Sequence, residues 1–262
     1  MQDIHAILFD AGNTLVFVDP LRVFRIVSEL GLEPRSDAFD SAERHARLEL
    51  VASLSGGAVA QQVPGPQGAT EAQTKSAQVE VPQLVKILEL KPGMTVADVG
   101  AGFGAWTVAL AKWLGPNGRV YASDIGAQQL GILREAVQRE RLTNVTVLEA
   151  GERSTNLPAA CCDAILVRDA YHHFSQPADL TRSLAAALKP GGRLAVIDFP
   201  TRPNTEVPAG VPANRGGHGV PPEIVVSEVT AAGLTHVRTT PNWSPESQPP
   251  MLFLTLFRKG GQ

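Results

Sequence analysis

Val96-Ala97-Asp98-Val99-Gly100-Ala101-Gly102-Phe103-Gly104 is the stretch from which the rest of the chain can be read. An apolar run ends in an acid, glycines follow at alternate positions, and an apolar helical pattern runs on from Ala105 to Leu114. That order describes a strand, a tight turn and a helix N-terminus. Glycine removes Cβ where backbone must pass close to a ligand, and the first helical turn carries N–H groups with no partner inside the helix. The stretch is a candidate nucleotide site.

Working outward, the next strand is Arg119 to Ser123, ending in Asp124, and a helix then places Leu130, Leu133 and Val137 on one face. Val145 to Leu148 and Asp163 to Val167 are further strands. A helix beginning at Ser175-Gln176-Pro177 aligns Leu180, Leu184 and Leu188, and Lys189-Pro190-Gly191-Gly192 ends it before a strand over Arg193 to Phe199. A Pro/Gly/Asn-rich loop fills residues 200–219, a helix runs from Pro222 to Ala232 with Gly233 after it, and strands near His236 to Thr240 and Met251 to Arg258 close the chain. Such alternation predicts an α/β fold with a mostly parallel, doubly wound sheet.

Upstream, Val81, Leu84, Val85 and Leu88 have helical spacing, and Lys91-Pro92-Gly93 stops that helix. From about residue 56 to 78 the chain turns to Gly, Ala, Gln, Pro and Thr, which is linker composition. The domain division expected is therefore 1–55, a linker over 56–78, and a main domain over 79–262. In the first segment a strand-like run, Ile4 to Phe9, leads into Asp10-Ala11-Gly12-Asn13-Thr14-Leu15. This resembles the first motif of the haloacid-dehalogenase-like phosphatases, in which a strand-end aspartate is the nucleophile. Where that family usually has a second aspartate stands Gly12, and no lysine occurs before Lys75. The segment reads as a short α/β appendage, with an Asp10 phosphatase as the alternative function.

A net charge of −3 leaves no basic footprint for nucleic acid. No segment reaches the about 18 consecutive apolar residues of a membrane span, so the expected address is the cytoplasm. Cys161 and Cys162, the only cysteines, read as small residues opening a buried strand, in a spacing that suits neither a disulfide nor zinc.

A strand–glycine turn–helix serves nicotinamide dehydrogenases and S-adenosylmethionine (SAM) methyltransferases alike. An acid two residues before the first glycine, an acid ending the next strand, and the run Leu188-Lys189-Pro190-Gly191-Gly192-Arg193-Leu194 favour the second. Residues from about 80 to 258 resemble a class I SAM-dependent methyltransferase of the ubiquinone-biosynthesis type. The resemblance implies a Rossmann-like seven-stranded sheet with its last strand antiparallel, SAM as cofactor, and a small-molecule methyl acceptor. It assigns Asp98, Gly100, Ala101, Gly102 and Gly104 to the cofactor loop, Asp124 to the ribose, Ile125 to the adenine, and Glu152 to the adenine amino group. The fourth strand ends in Arg168-Asp169-Ala170-Tyr171-His172-His173-Phe174, at the sheet edge that faces the methyl group in this fold. Arg168 and Asp169 are read there as cofactor-side residues. Tyr171, His172, His173 and, after the long loop, His218 are the catalytic candidates, with the histidines as bases near neutral pH. A bare His-His pair is not a metal motif, and no metal is expected. An alternative is a chain that binds SAM without turnover.

Overall fold

The computed structural model describes residues 68–244 and 251–261, together with the backbone of Asp10–Ala11 and Thr14–Leu15. Those four form a short antiparallel pair, Asp10 opposite Leu15 and Ala11 opposite Thr14. The rest of the expected appendage, including the strand-like run Ile4 to Phe9, lies outside the described residues. The chain divides between Gln67 and Gly68, and the second unit holds a seven-stranded sheet.

The first element of this second unit is α1 (Glu71–Ile87), which starts ten residues before Val81 and takes up the end of the expected linker. The cause is local. Thr70 Oγ1 accepts from the Gln73 N–H at 3.1 Å, and Gln73 Oε1 accepts from the Thr70 N–H at 2.9 Å. This reciprocal box satisfies two N–H groups that a helix start otherwise leaves to water. Polar composition disguises the helix, but Ala77, Val81 and Leu84 still bury one face.

The sheet strands are β1 (Thr95–Val99), β2 (Arg119–Asp124), β3 (Val145–Glu149), β4 (Cys162–Arg168), β5 (Leu188–Asp198), β6 (Leu234–Thr240) and β7 (Phe253–Lys259). They lie in the order β3-β2-β1-β4-β5-β7-β6. Strands β1 to β5 are parallel, and β7 runs antiparallel to both β5 and β6. Between them run α2 (Ala105–Leu114), α3 (Ala127–Arg139), α4 (Pro177–Ala187) and α5 (Pro222–Ala231). Along β4 the side chains alternate between two buried layers. Ala164 and Leu166 join the core under α1 and α2, while Ile165 and Val167 join the core under α4 and α5. Burial on both faces is why the central strands read as apolar runs.

Two local features differ from the sequence-based expectation. β5 opens at Leu188, so the Lys-Pro-Gly-Gly segment lies inside the strand as an irregularity opposite Cys162 and Ala164. Cys161 and Cys162, with Cα atoms 3.8 Å apart, are bonded to each other where β4 begins, which corrects the expectation that the pair forms no disulfide. No helix among the described residues is long and apolar enough to cross a membrane.

If the capping box is what starts α1 at Glu71, Thr70→Ala lowers the stability of its first turns by about 1 kcal/mol. Amide hydrogen exchange over residues 71–76 is expected to speed up accordingly, with the strands unchanged.

Candidate functional site

A parallel sheet leaves a crevice where its order reverses, here between β1 and β4 at their carboxyl ends. The chain leaving β1 is pinned on β2, because the N–H groups of Gly100 and Ala101 both donate to the Ser123 carbonyl, at 2.8 and 3.0 Å. Gly100, Gly102 and Gly104 all have left-handed backbone, with φ of 74°, 52° and 87°. A Cβ on Gly100 would fall 2.4 Å from Ala170 Cβ, and one on Gly104 would fall 2.6 Å from Leu133 Cδ1. A Cβ on Gly102 would meet nothing within 4 Å. The outer two glycines are therefore packing requirements, while the middle one keeps backbone accessible beside open space.

That space is a cleft of about 370 Å³, within the range of small-ligand sites. Of the residues singled out from sequence, Gly100, Ala101, Gly102, Gly104, Asp124, Ile125, Glu152, Arg168, Asp169 and His173 line it. Asp124 Oδ2 accepts from the Gly102 N–H at 2.9 Å, and its Oδ1 accepts from the N–H groups of Ile125 and Gly126 at 2.8 and 3.1 Å. Ile125 beside it is 63% exposed, an apolar surface left open at the rim.

Asp98, Tyr171, His172 and His218 are not among the lining residues. Asp98 is buried beneath the loop, where Oδ2 accepts from the Thr107 hydroxyl at 2.6 Å. Burial, reinforced by the Asp124 charge and opposed by Thr107, pushes its carboxyl up to about 6. Tyr171 points into the core between β4 and α5, with its hydroxyl donating to Glu228 at 2.8 Å. Burial, with the Glu228 charge, pushes that hydroxyl far above its ordinary range, so it keeps its proton. The reason is the 3-10 turn Tyr171–His173 after β4, whose tight pitch sends three successive side chains in different directions.

His172 is buried, its Nδ1 2.8 Å from Asp198 Oδ1. His173 lies at the cleft rim, held down to about 4 by desolvation and by its neighbours His172 and His218. His218 is held below its ordinary value first by burial and then by His172. Asp169, with left-handed backbone at φ 54°, is pushed up to about 6 by burial and by Asp198.

The cleft wall includes α1, which contributes Gln73. Glu80 of α1 is fully buried and meets Arg168 in a fork, Oε2 to Nε and Oε1 to a terminal nitrogen, each at 2.9 Å. The same Oε2 accepts from the Trp106 indole N–H at 3.0 Å, and the guanidinium lies 3.7 Å from the centre of the Trp106 ring. Glu80, Trp106 and Asp198 are not among the candidates singled out from sequence. The signals were present: Glu80 shares the helical face of Ala77 and Leu84, and Asp198 ends an apolar strand as Asp124 does.

Residues 96–192, which carry most of this geometry, match the family model described as a methyltransferase domain. Demethylmenaquinone methyltransferase from Listeria welshimeri is 28% identical over 122 residues, which make up 47% of this chain and 51% of that protein. The chain thus spans about half the length of the curated relative it matches. A SAM-dependent methyltransferase from Aquifex aeolicus is 26% identical with a TM-score of 0.53, covering 72% of this chain and 99% of that one. The [4+2]-cyclase SpnF shares the fold at 17% identity and a TM-score of 0.58, covering 82% of this chain and 93% of that one. The fold is that of the class I methyltransferases.

Two outcomes are expected from the buried charges. Glu80→Gln leaves Arg168 buried beside a neutral partner, and urea unfolding is expected to show a loss of about 3–5 kcal/mol. Asp98 titrates near 6 when folded against an ordinary value of 3.8, so its ionisation opposes folding. This cost is absent below about pH 4, grows as pH rises to about 6, and stays constant above, at about 3 kcal/mol. Asp98→Asn is therefore expected to gain stability relative to the parent between about pH 4 and pH 7, and a difference flat across that window excludes the assignment.

Proposed function

We propose that this chain is a SAM-dependent methyltransferase acting on a small-molecule acceptor. The observation that carries the reading is the meeting of the Gly102 backbone and the Asp124 carboxylate in one cleft at the switch point of the sheet. The cofactor supplies an activated methyl group on a sulfonium, which an O, N, S or C nucleophile takes in one displacement.

The residues present fit that group. Asp124 is placed to accept from a ribose diol. Its oxygens already receive three backbone N–H bonds. A carboxylate offers about four acceptor directions, so a diol displaces part of this set rather than adding to it. The exposed Ile125 side chain gives an adenine ring an apolar face, and Glu152 lies along the same cleft. The glycine loop can approach the donor closely because Gly102 carries no side chain on the open side. Asp98 acts at one remove, holding α2 to β1 through Thr107. Asp169 puts a carboxyl beside the glycine loop, which suits the ammonium of the amino-acid portion of SAM, while Arg168, forked to Glu80, holds the wall behind it.

On the acceptor side the lining changes to His173, Phe174 and Ser175. Catalysis would come chiefly from holding the acceptor in line, since the donor is already activated. The relation to a quinone-modifying methyltransferase and the net charge of −3 both support a small molecule over a nucleic acid. The same reading places its action in the cytoplasm, in keeping with an ordinary globular composition of 44% apolar and 19% charged residues.

Isothermal titration with S-adenosylhomocysteine is expected to show one site per chain, weakened ten-fold or more by Asp124→Asn, about 1.4 kcal/mol. Binding of NAD without binding of S-adenosylhomocysteine overturns the reading.

A further inference from the structure

Three of the six histidines of the chain converge at one point behind the cleft. His172 and His173 arrive on the 3-10 turn after β4, and His218 arrives 45 residues after His173, at the end of the long loop. A ligating nitrogen from each lies within 4.8 Å of the other two. The ring centres stand 4.0 Å apart for His172 and His173, 5.0 Å for His172 and His218, and 5.9 Å for His173 and His218.

Two of the three histidines are held by groups outside the cluster. Asp198 Oδ1 lies 2.8 Å from His172 Nδ1, and Asp198 Oδ2 accepts from the His172 backbone N–H at 3.1 Å. That arrangement fixes the ring through Nδ1, as a carboxylate does behind a metal-bound imidazole, and makes Nε2 the remaining ligating nitrogen. His218 is fixed through its backbone, its N–H donating to Thr205 Oγ1 at 2.8 Å and its carbonyl accepting from the Arg202 N–H at 2.8 Å. Phe199 closes the far side, with its ring 5.3 Å from that of His218 and 4.6 Å from that of His172. Charge around the cluster is mixed. Asp198 and Asp169 face it with carboxyls, the latter forming a second ligand-distance group with His172 and Asp198. Arg202 opposes them, its guanidinium 4.6 Å from the centre of Phe199.

We propose that His172, His173 and His218 form a binding site for a zinc-type divalent cation. Three imidazoles suit a first-row transition metal over magnesium or calcium, which take oxygen ligands. Three protein ligands with an orienting carboxylate behind one of them leave a fourth tetrahedral position open. Neighbouring ligand atoms in a tetrahedral zinc site stand roughly 3.4 Å apart, so His173 and His218 close toward the fixed His172 ring by side-chain rotation. His173 also lines the cleft, so a bound ion would border its acceptor side. There the ion would take a hydroxyl or thiol acceptor as fourth ligand and lower its pKa. The acceptor proton passes to water, and the methyl group then forms its new bond to that oxygen or sulfur while the old bonding pair stays on the donor sulfur. This role rests on the methyl-transfer reading, whereas binding of the ion does not.

The test uses the full chain, untagged and stripped with a chelator, titrated with Co2+ and then displaced by Zn2+. Expected is one equivalent per chain with the visible absorption of tetrahedral Co2+. His173→Ala and His218→Ala are each expected to weaken Zn2+ at least ten-fold, and His236→Ala, on β6, to leave it unchanged. His218→Ala is expected to keep its affinity for S-adenosylhomocysteine, which shows that the variant is folded. Absence of stoichiometric binding, or binding indifferent to both variants, overturns the site. Zn2+ binding without S-adenosylhomocysteine binding overturns the acceptor role and leaves the site standing.

Discussion

Two carboxylate oxygens of Glu80 meet the guanidinium of Arg168 in a place where the acid is fully buried and the base only 5% exposed. Desolvating such a pair costs several kcal/mol per ion, and the Coulomb attraction offsets this only when the remaining donors and acceptors are also satisfied. Here the indole N–H of Trp106 supplies a third donor to the carboxylate, and the indole ring faces the cation. The three residues come from α1, α2 and β4, so one polar contact ties the entering helix, the helix after the glycine loop and the strand that leads to the histidines. Neither wall of the cleft can shift alone without stranding a charge in the core.

The cleft is asymmetric in a way that divides the labour of its residues. On the β2 side, Asp124 is held by three backbone N–H groups and carries an ordinary strand-end geometry. On the β4 side, the backbone turns left-handed at Asp169 and tightens into a 3-10 turn, which sends Tyr171 into the core, His172 toward Asp198 and His173 to the rim. The first side is built to hold, and the second to present.

Much of this is legible in the amino-acid order. The glycine spacing and the strand-end acids locate the loop, Asp124 and the switch point, because turn geometry and strand burial are local and strong. Tyr171 and His172 are harder to place, since in a 3-10 turn neighbours face different ways and no periodicity tells which one meets the ligand. Glu80 is hidden by its surroundings. A helix whose buried face is mostly Ser, Ala and Glu has a weak apolar signal, and only the Thr70 to Gln73 box marks where it begins. His218 needs the tertiary fold, because nothing local places it 5.0 Å from His172.

The position of β7 bears on how the chain comes together. It is the last strand in the sequence, yet it lies between β5 and β6 rather than at an edge. As synthesis proceeds, β1 to β5 can pair as they emerge, while the outer side of β5, from Arg193 to Asp198, has no strand beside it until Phe253 to Lys259 appear. An unpaired apolar edge invites association with other chains. Pairing of residues 253–259 is therefore the event that both seals the sheet and ends that exposure.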